Sequence, residues 1–304
     1  MIVINGSGMA GLACARRLAD AGLSPIVLDK GRGIGGRVAT RRVGDLQFDH
    51  GAQYVNAHCA GFAAVLGGLA VAGWQDGTGR THSVGVPGMS AIPKALGVGL
   101  DIRQGVQVTR LQQDGDGWVL QMEGASLRTA HVVVTVPAPQ VAGLLGAEHP
   151  LVAELAPVRL APCLTLMVAP APFIARQDSD DPLSWIVQDS SKPGRPQGVA
   201  TQWVAQASEA FSVAHLEQSP EEIAALMLLL LCDRLSVTPD RVTHAAAHRW
   251  RYARVTQALD QPFLRSPDAT LYLGGDWCID PRIEAAWISG TAIADDILAQ
   301  GLPC

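Results

Sequence analysis

The N-terminal stretch that ends at Asp29 carries the pattern that most constrains the fold. A short apolar run, Met1–Ile4, is typical of a buried parallel strand, and a G-x-G-x-x-G motif over residues 6–11 follows it at once. A helix-like stretch, Leu12–Ala21, comes next, and a second apolar run leads to Asp29. This order of strand, glycine turn, helix and acid predicts a Rossmann-type unit that binds a dinucleotide.

Each glycine of the motif has its own physical role. Gly6 permits the tight turn, Gly8 lets a pyrophosphate approach the backbone, and Gly11 lets the helix pack closely on the strand. The helix N-terminus offers free N–H groups to the phosphates, and Asp29 lies at the spacing of a carboxylate that binds ribose hydroxyls. A glycine turn that binds nothing is disfavoured because the flanking strand, helix and acid are all in place.

A second glycine cluster, residues 31–36, lies just after Asp29, and Arg37 follows it directly. An ordinary nicotinamide dehydrogenase does not need it. Together with the first motif it resembles the two-dinucleotide-binding-domain flavoproteins of the amine oxidase superfamily, in which paired glycines and an arginine contact the FAD pyrophosphate. The resemblance implies that Arg37 is a ligand of FAD; the alternative is a solvated basic loop. No cysteine matches a covalent flavin link, so noncovalent FAD is expected.

The C-terminal part carries a second match to the same superfamily. Leu271–Trp277 resembles the final parallel strand and the second cofactor fingerprint of the family, and a helix follows it. The resemblance implies that Asp276 binds the ribityl or phosphate region of FAD. The first turn of the helix, from Pro281, would then stabilise the negative charge of reduced flavin. Trp287 either faces the flavin ring or packs in the core, and both alternatives stay open.

The segment Phe48–Tyr54 resembles the part of the family fold that passes beneath the flavin. A glycine turn with a half-buried Tyr54 is an equal alternative, and His50 is expected to be structural. Val108 is the adenine contact that the resemblance implies. The complete set of predicted FAD ligands is Gly6, Gly8, Met9, Ala10, Gly11, Asp29, Lys30, Gly36, Arg37, Gly51, Ala52, Gln53, Val108, Gly275, Asp276, Glu284, Ala285, Ala286 and Trp287.

A cluster of aromatic and basic residues at positions 248–252 predicts a substrate-binding wall. Strand alternation places its aromatic side chains on one side and Arg249 and Arg251 on the other. Such a wall is able to stack on a planar ring; the alternative is a strand with one buried aromatic face. The predicted catalytic residues are Gln53, Tyr54, His248, Trp250, Tyr252 and Trp287.

The periodicity predicts an α/β chain with two domains. The first is a discontinuous Rossmann-like FAD-binding domain, and the second is an α+β substrate domain on a mixed or antiparallel sheet. The FAD-binding domain is expected over residues 1–62, 92–148 and 246–304, and the substrate domain over 63–91 and 149–245. The strands expected in the second domain are residues 164–168, 184–188 and 198–204.

Composition excludes several classes of function. Hydrophobic residues make up 48% and charged residues 17%, as in a well-buried globular enzyme. The net charge of −5 without a basic run gives no support for a nucleic-acid or membrane partner. The six cysteines have neither metal-ligand nor redox spacing, so we expect reduced thiols and no metal. With no visible signal peptide, the expectation is a cytoplasmic monomer or homodimer.

The chain resembles one group within the superfamily, the bacterial renalase-type proteins, by its length and by four segments. These segments are residues 48–54, 87–96 and 248–253, and residues 275–278 together with 282–290. The resemblance implies an oxidase that takes a hydride from the 2- or 6-dihydro isomers of NAD(P) and passes electrons to O2, giving H2O2. The alternatives are an oxidase or desaturase acting on an amine or an apolar ring, and a flavin-binding protein without turnover.

Two groups of charged residues bear on this choice. Amine oxidases of the superfamily usually hold a lysine near flavin N5, whereas the only lysine of the middle block, Lys192, lies in a Pro/Gly loop. This difference weakens the amine alternative. A dinucleotide substrate would require cations for its pyrophosphate, and the candidates are Arg159, Arg195, Arg249 and Arg251.

Overall fold

The computed structural model describes residues 1–169, 176–177, 181–196, 200–236 and 238–301. The strands, in chain order, are β1 (Ile2–Asn5), β2 (Ile26–Asp29), β3 (Thr40–Val43), β4 (Leu46–Asp49), β5 (Val71–Gln75), β6 (Thr81–Gly85), β7 (Asp101–Gln104), β8 (Val108–Asp114), β9 (Gly117–Met122), β10 (Ala125–Thr129), β11 (His131–Val134), β12 (Arg159–Ala169), β13 (Arg176–Gln177), β14 (Trp185–Gln188), β15 (Trp203–Gln206), β16 (His244–Gln257), β17 (Leu264–Arg265) and β18 (Leu271–Leu273). The helices are α1 (Met9–Asp20), α2 (Ala60–Gly67), α3 (Ala91–Leu96), α4 (Ala138–Leu145), α5 (Pro150–Glu154), α6 (Glu209–Ala214), α7 (Pro220–Leu235) and α8 (Ile283–Ala299).

A six-stranded sheet in the order β17-β18-β11-β1-β2-β7 forms the first layer of the fold. All its pairs are parallel except β17 with β18. Successive residues of β1 face opposite layers: Ile2 and Ile4 pack with α1 and α8, whereas Val3 packs with the β8-β9-β10 sheet and α4. The central strand is therefore buried on both faces, as its continuous apolar run predicts.

A five-stranded antiparallel sheet in the order β13-β14-β15-β12-β16 forms the second unit. Leu164, Leu166 and Val168 of β12 pack against α7 on one face. Met167 on the opposite face packs towards α2, α3 and β4. The helix α7 begins with a capping box, in which Ser219 and Glu222 exchange side-chain and backbone hydrogen bonds.

The predicted fold class is confirmed: a discontinuous Rossmann-like unit is joined to a second unit built on an antiparallel sheet. The division into domains stays a prediction. Its boundary between residues 245 and 246 lies inside β16, and β16 pairs with β12 along most of its length. Strand β16 therefore belongs to the second sheet. Two residues of the strand expected over 198–204, Gly198 and Val199, lie outside the described residues.

The five described cysteines are free thiols, and Cys304 lies outside the described residues. Within the described ranges, none of the helices combines the length and the apolar character that a membrane crossing requires.

Candidate active site

The turn between β1 and α1 is shaped by its glycines. Gly6 has a φ of +117°, and a Cβ on Gly11 would lie 1.9 Å from the Gly6 carbonyl oxygen, so neither position accepts a side chain. Gly8 differs, because a Cβ there would meet nothing within 4 Å. Gly8 is the N-cap of α1, and the first turn of α1 contains no acidic residue. The helix N-terminus therefore offers N–H groups to an anion beside an open glycine.

The two glycine clusters lie against each other. The Gly35 N–H donates to the Ser7 carbonyl oxygen at 2.8 Å, and a Cβ on Gly36 would be 3.5 Å from the Gly8 Cα. Asp29 joins them, since its carboxylate accepts hydrogen bonds from the N–H and Oγ of Ser7, both at 2.6 Å, and from the N–H of Gly31 at 2.7 Å. Residues from both clusters thus form one surface, as binding of a single pyrophosphate requires.

The remaining predicted ligands at this end lie close by or on the surface. Met9 and Ala10 are buried in the first turn of α1, and Lys30 is exposed beside Asp29. Val108 is buried at the start of β8, two residues after Val106, whose N–H donates to the Asp29 carbonyl oxygen at 2.9 Å. This contact places the start of β8 beside the carboxyl end of β2, and nucleotide sites form at the carboxyl ends of strands in open parallel sheets.

Arg37 joins the N-terminal and C-terminal cofactor segments. Its Nη2 donates to Asp276 Oδ1 at 2.6 Å, and its Nη1 donates to the Ala253 carbonyl oxygen at 2.9 Å. Asp276 is buried and follows Gly275, whose N–H contacts Ser289 Oγ on α8 at 3.0 Å. The sequence predicted Arg37 and Asp276 as separate ligands of one cofactor, and the structure brings them into direct contact.

The segment that the resemblance places beneath the flavin runs tightly along Arg37. A Cβ on Gly51 would lie 1.9 Å from the Arg37 carbonyl oxygen, which accepts a hydrogen bond from the Ala52 N–H at 2.9 Å. Gln53 is buried, and its amide donates to the carbonyl oxygens of Asp49 at 2.5 Å and Gly51 at 3.0 Å. The side chain of Gln53 therefore stabilises the turn itself.

Tyr54 is held by rings of the neighbouring elements. The ring of His82 stacks on it with centroids 3.9 Å apart, and that of Trp185 lies 5.9 Å away. His82 is fixed in turn by Asp76, whose Oδ2 is 2.9 Å from His82 Nε2. The structure thus gives Tyr54 a defined packing position between β6 and β14.

Four buried charged residues lie directly behind this segment: Asp49, Asp189, Lys192 and Arg195, here called the ion quartet. All four side chains are completely buried. Lys192 Nζ is 2.7 Å from Asp189 Oδ1 and 3.5 Å from Asp49 Oδ2, and Arg195 bonds to Asp49. Lys192 also donates to Gln53 Oε1 at 3.1 Å, which links the ion quartet to the segment beneath the flavin.

The two carboxyl groups of the ion quartet are shifted in opposite directions. Burial alone would raise the pKa of Asp49, but the charges of Lys192 and Arg195 and the hydrogen bonds from Thr40 and Met89 lower it below its usual value. Burial dominates at Asp189 and, together with the charge of Asp49, raises its pKa despite the same two cations. Sequence reasoning missed the ion quartet, because Lys192 and Arg195 lie in a polar Pro/Gly stretch that is typical of a solvated loop.

The aromatic wall of β16 stands over His50. Trp250 Nε1 donates to the His50 carbonyl oxygen at 2.8 Å, and the two rings stack with centroids 5.4 Å apart. The ring of His248 meets His50 edge-on at 4.8 Å and lies 4.3 Å from that of Trp250. Arg249 and Arg251 point to the other side, where both form ion pairs with Glu217. A register shift interrupts the pairing of β16 with β12 next to Tyr252, which is half-buried.

Two histidines meet at the wall, His248 of β16 and His50 beneath it, and both are uncharged at neutral pH. Burial, then the charges of His248 and Arg41, lower the pKa of His50 to about 3. Burial, then the charge of Arg41, lowers the pKa of His248 to about 4. The wall therefore presents neutral rings, and Arg41 is the cation beside it.

Glu284 ties the start of α8 to the start of α2. Its carboxylate accepts hydrogen bonds from the N–H groups of His58 at 2.8 Å and Cys59 at 2.7 Å, and it contacts His58 Nδ1 at 2.9 Å. Burial would raise the pKa of Glu284, but these donors lower it to about 2. Its predicted role as a cofactor ligand stays a prediction, and the contacts seen here are within the protein.

The other predicted residues of α8 face the same region. Ala285 is buried, Ala286 is half-buried, and the ring of Trp287 lies 5.4 Å from that of Phe62. A Cβ on Gly61 would be 3.2 Å from the Trp287 ring. Trp287 thus packs against α2, and its predicted contact with the flavin stays a prediction.

These residues fit a flavin dinucleotide on chemical grounds. The open glycine at the α1 N-terminus suits a pyrophosphate. Among the described residues, two buried polar atoms of this region have no hydrogen-bond partner. They are His50 Nδ1, in the segment 48–54, and Nε1 of Trp185, whose ring lies beside Tyr54. A buried polar atom left unpaired is costly, so a polar edge of a bound ring system beside them would be stabilising.

Comparisons with known families and structures identify the family and the fold. The model of an NAD(P)-binding Rossmann-like domain matches residues 4–62, and that of a flavin containing amine oxidoreductase matches residues 72–298. A double mutant of putrescine oxidase has a similar fold, with a TM-score of 0.79 and 13% identity. Wild-type putrescine oxidase bound to putrescine gives a TM-score of 0.76 at 14% identity. Cyclohexylamine oxidase from Brevibacterium oxydans IH-35A gives 0.76 at 13%. Each likeness covers 98% of both chains.

Proposed function

The chain belongs to the family of flavin-containing amine oxidoreductases, and we propose that within this family it oxidises isomeric (2- or 6-) dihydronicotinamide dinucleotides. The two glycine clusters and Arg37 would hold FAD, which would supply the hydride acceptor at flavin N5 and the route of the electrons to O2. In the overall reaction the dihydronicotinamide loses a hydride to become NAD(P)+, and O2 with that hydride and one proton becomes H2O2. The residues of the chain bind and orient the two reactants.

The neutral aromatic wall is the observation that carries this proposal. His248 and Trp250 stand over the segment 50–53, and their contacts with His50 fix the distance between wall and segment. Hydride transfer depends on the alignment of two rings and needs no group to remove a proton first. Uncharged planar side chains can stack on a nicotinamide ring, but aromatic faces also attract ammonium groups, so the choice against an amine rests on Lys192.

Lys192 favours the same choice over the amine alternative. Lys192 Nζ donates hydrogen bonds to Asp189 and Gln53, and it forms an ion pair with Asp49 at 3.5 Å. These contacts hold protein atoms together, so the lysine is engaged by the protein. The amine alternative nevertheless rests on the same family, and putrescine oxidase and cyclohexylamine oxidase share the fold.

Anaerobic mixing of the purified holoenzyme with single reductants separates the two functions. We expect 6-dihydroNAD or 2-dihydroNAD to bleach the flavin within one turnover, with ordinary 4-dihydroNAD much slower. Admission of O2 should restore the yellow colour and release one H2O2 per substrate. A flavin that stays oxidised with every dihydronicotinamide isomer but bleaches with putrescine or cyclohexylamine would establish the amine alternative. Turnover with any of these reductants would exclude a non-catalytic flavin-binding role.

A further inference from the structure

A dinucleotide substrate needs a cation, and the four arginines that the sequence offers for this purpose are engaged elsewhere. Arg249 and Arg251 pair with Glu217 on the far side of β16. Arg195 is buried in the ion quartet. Arg159 donates to the carbonyl oxygens of two neighbouring residues. The cation that does lie beside the wall is Arg41, which the sequence analysis did not select.

Arg41 reaches the wall from β3. Its Nη2 is 3.3 Å from His248 Nδ1, and Arg41 is half-buried. A guanidinium group only donates hydrogen bonds, so Nδ1 of His248 is the acceptor and the proton of the neutral ring lies on Nε2. Arg41 thereby fixes the tautomer of a wall residue while most of its own five donors stay available.

Within the part of the chain that the structure describes, no carboxylate neutralises the charge of Arg41. Asp49, on the neighbouring strand, is bound instead by Lys192 and Arg195 of the ion quartet. Together with burial, the charge of Arg41 lowers the pKa of the three surrounding histidines, His50, His244 and His248.

We propose that Arg41 binds a phosphate group of the substrate while the nicotinamide ring lies on His248 and Trp250. An arginine with free donors matches the oxygens of a phosphate, often in a bidentate manner. A half-buried cation without a partner would repel a simple protonated amine from the same place. This inference rests on the proposed function, because it names the part of the dinucleotide that the enzyme recognises.

Arg42 provides a matched control. It is the next residue of β3, it is exposed, and strand alternation places it on the opposite face of the β3-β4 hairpin from Arg41. Arg41→Gln and Arg42→Gln remove the same charge from adjacent positions. Arg41→Lys keeps the charge and loses the planar fork, so it should restore part of the effect.

Binding is measured on the FAD-loaded enzyme by calorimetric titration with NAD+, nicotinamide riboside and inorganic pyrophosphate. Arg41→Gln should weaken binding of NAD+ and pyrophosphate by about 10- to 100-fold, the loss expected for a charge-assisted hydrogen bond. Binding of nicotinamide riboside, which has no phosphate, should change less than about twofold. The Arg42→Gln enzyme should bind all three ligands with nearly the wild-type affinity, because the charge that it loses is exposed and screened by salt.

Several results would overturn the inference. Loss of FAD from Arg41→Gln would assign the arginine to the cofactor, and an equal effect on nicotinamide riboside would assign it to packing of the wall. An Arg41→Gln enzyme with unchanged NAD+ affinity would show that Arg41 does not bind the phosphate. A wild-type enzyme that binds neither NAD+ nor pyrophosphate would show the same. The proposed function fails separately, when no dihydronicotinamide isomer reduces the wild-type flavin. Arg41-dependent pyrophosphate binding would then still support an anion site.

Discussion

Replacing Lys192 with methionine tests whether this buried lysine is structural. Lys192→Met removes the ammonium from a group of four completely buried side chains. It leaves Asp189 without its 2.7 Å partner and Gln53 Oε1 without its donor. Removal of one partner from a buried ion pair costs about 3–5 kcal/mol, because the remaining charge stays buried. That loss is a large part of the about 5–15 kcal/mol by which most domains are stable.

The loss of stability should depend on pH in a defined direction. In the variant, Arg195 is the remaining cation of the ion quartet, so the folded-state pKa of Asp49 and that of Asp189 are both higher than in the wild type. A group with a raised folded-state pKa takes up a proton in the folded state first, and folding is then favoured as the pH falls. The difference in unfolding free energy between the wild type and Lys192→Met should therefore be largest near pH 7 and shrink towards pH 5.

Guanidinium unfolding at several pH values, followed by far-UV circular dichroism, provides the measurement. Lys94→Met is the matched control, because Lys94 is exposed on α3 and its replacement should change stability by less than about 0.5 kcal/mol. A Lys192→Met protein as stable as Lys94→Met at pH 7, with slowed flavin reduction, would refute this reasoning. It would show that Lys192 acts on the flavin, as the lysine of family amine oxidases does.

Two further substitutions probe the cofactor segments. Gly11→Ala should destabilise the protein by about 1–3 kcal/mol and weaken FAD retention, since its Cβ would lie 1.9 Å from the Gly6 carbonyl oxygen. Gly143→Ala, in the open interior of α4, should instead raise the midpoint of thermal unfolding; equal midpoints would contradict this account. Glu284→Gln should cost about 1–3 kcal/mol at pH 7 in urea unfolding. Because the folded-state pKa of Glu284 is about 2, its carboxylate stabilises the fold fully above its ordinary pKa, and this stabilisation is lost as the pH falls towards 2. A Glu284→Gln variant that is still less stable than the wild type near pH 2 would contradict this account.

The parts of the fold that could be predicted from the sequence depend on short-range patterns. The strand, glycine turn, helix and Asp29 are within one β-α-β unit, in which Gly6 has a positive φ and a Cβ on Gly11 would meet the Gly6 carbonyl oxygen. The capping box at Ser219 is equally local. Such features follow from spacing alone, because the same backbone geometry recurs wherever the pattern occurs.

The ion quartet and the role of Arg41 could not be predicted in this way. Lys192 meets Asp49 only because β4 and the turn after β14 are packed together, more than a hundred residues apart in the chain. Charged residues in a Pro/Gly loop are ordinarily solvated, so composition indicated the opposite of what the packing produces. Arg41 was one of several arginines after the second glycine cluster, and only the position of His248 distinguishes it from Arg42.

Gly8→Leu gives the most direct test that one FAD lies across the two glycine clusters. A Cβ on Gly8 would meet no protein atom within 4 Å, so the apoprotein should fold with at most about 1 kcal/mol lost at the helix N-cap. That side chain would occupy the place of the pyrophosphate, and the purified variant should be colourless and fail to take up added FAD. Gly143→Leu, at an open glycine of α4 outside both glycine clusters, should stay yellow. A Gly8→Leu protein that holds one FAD per chain would contradict the account.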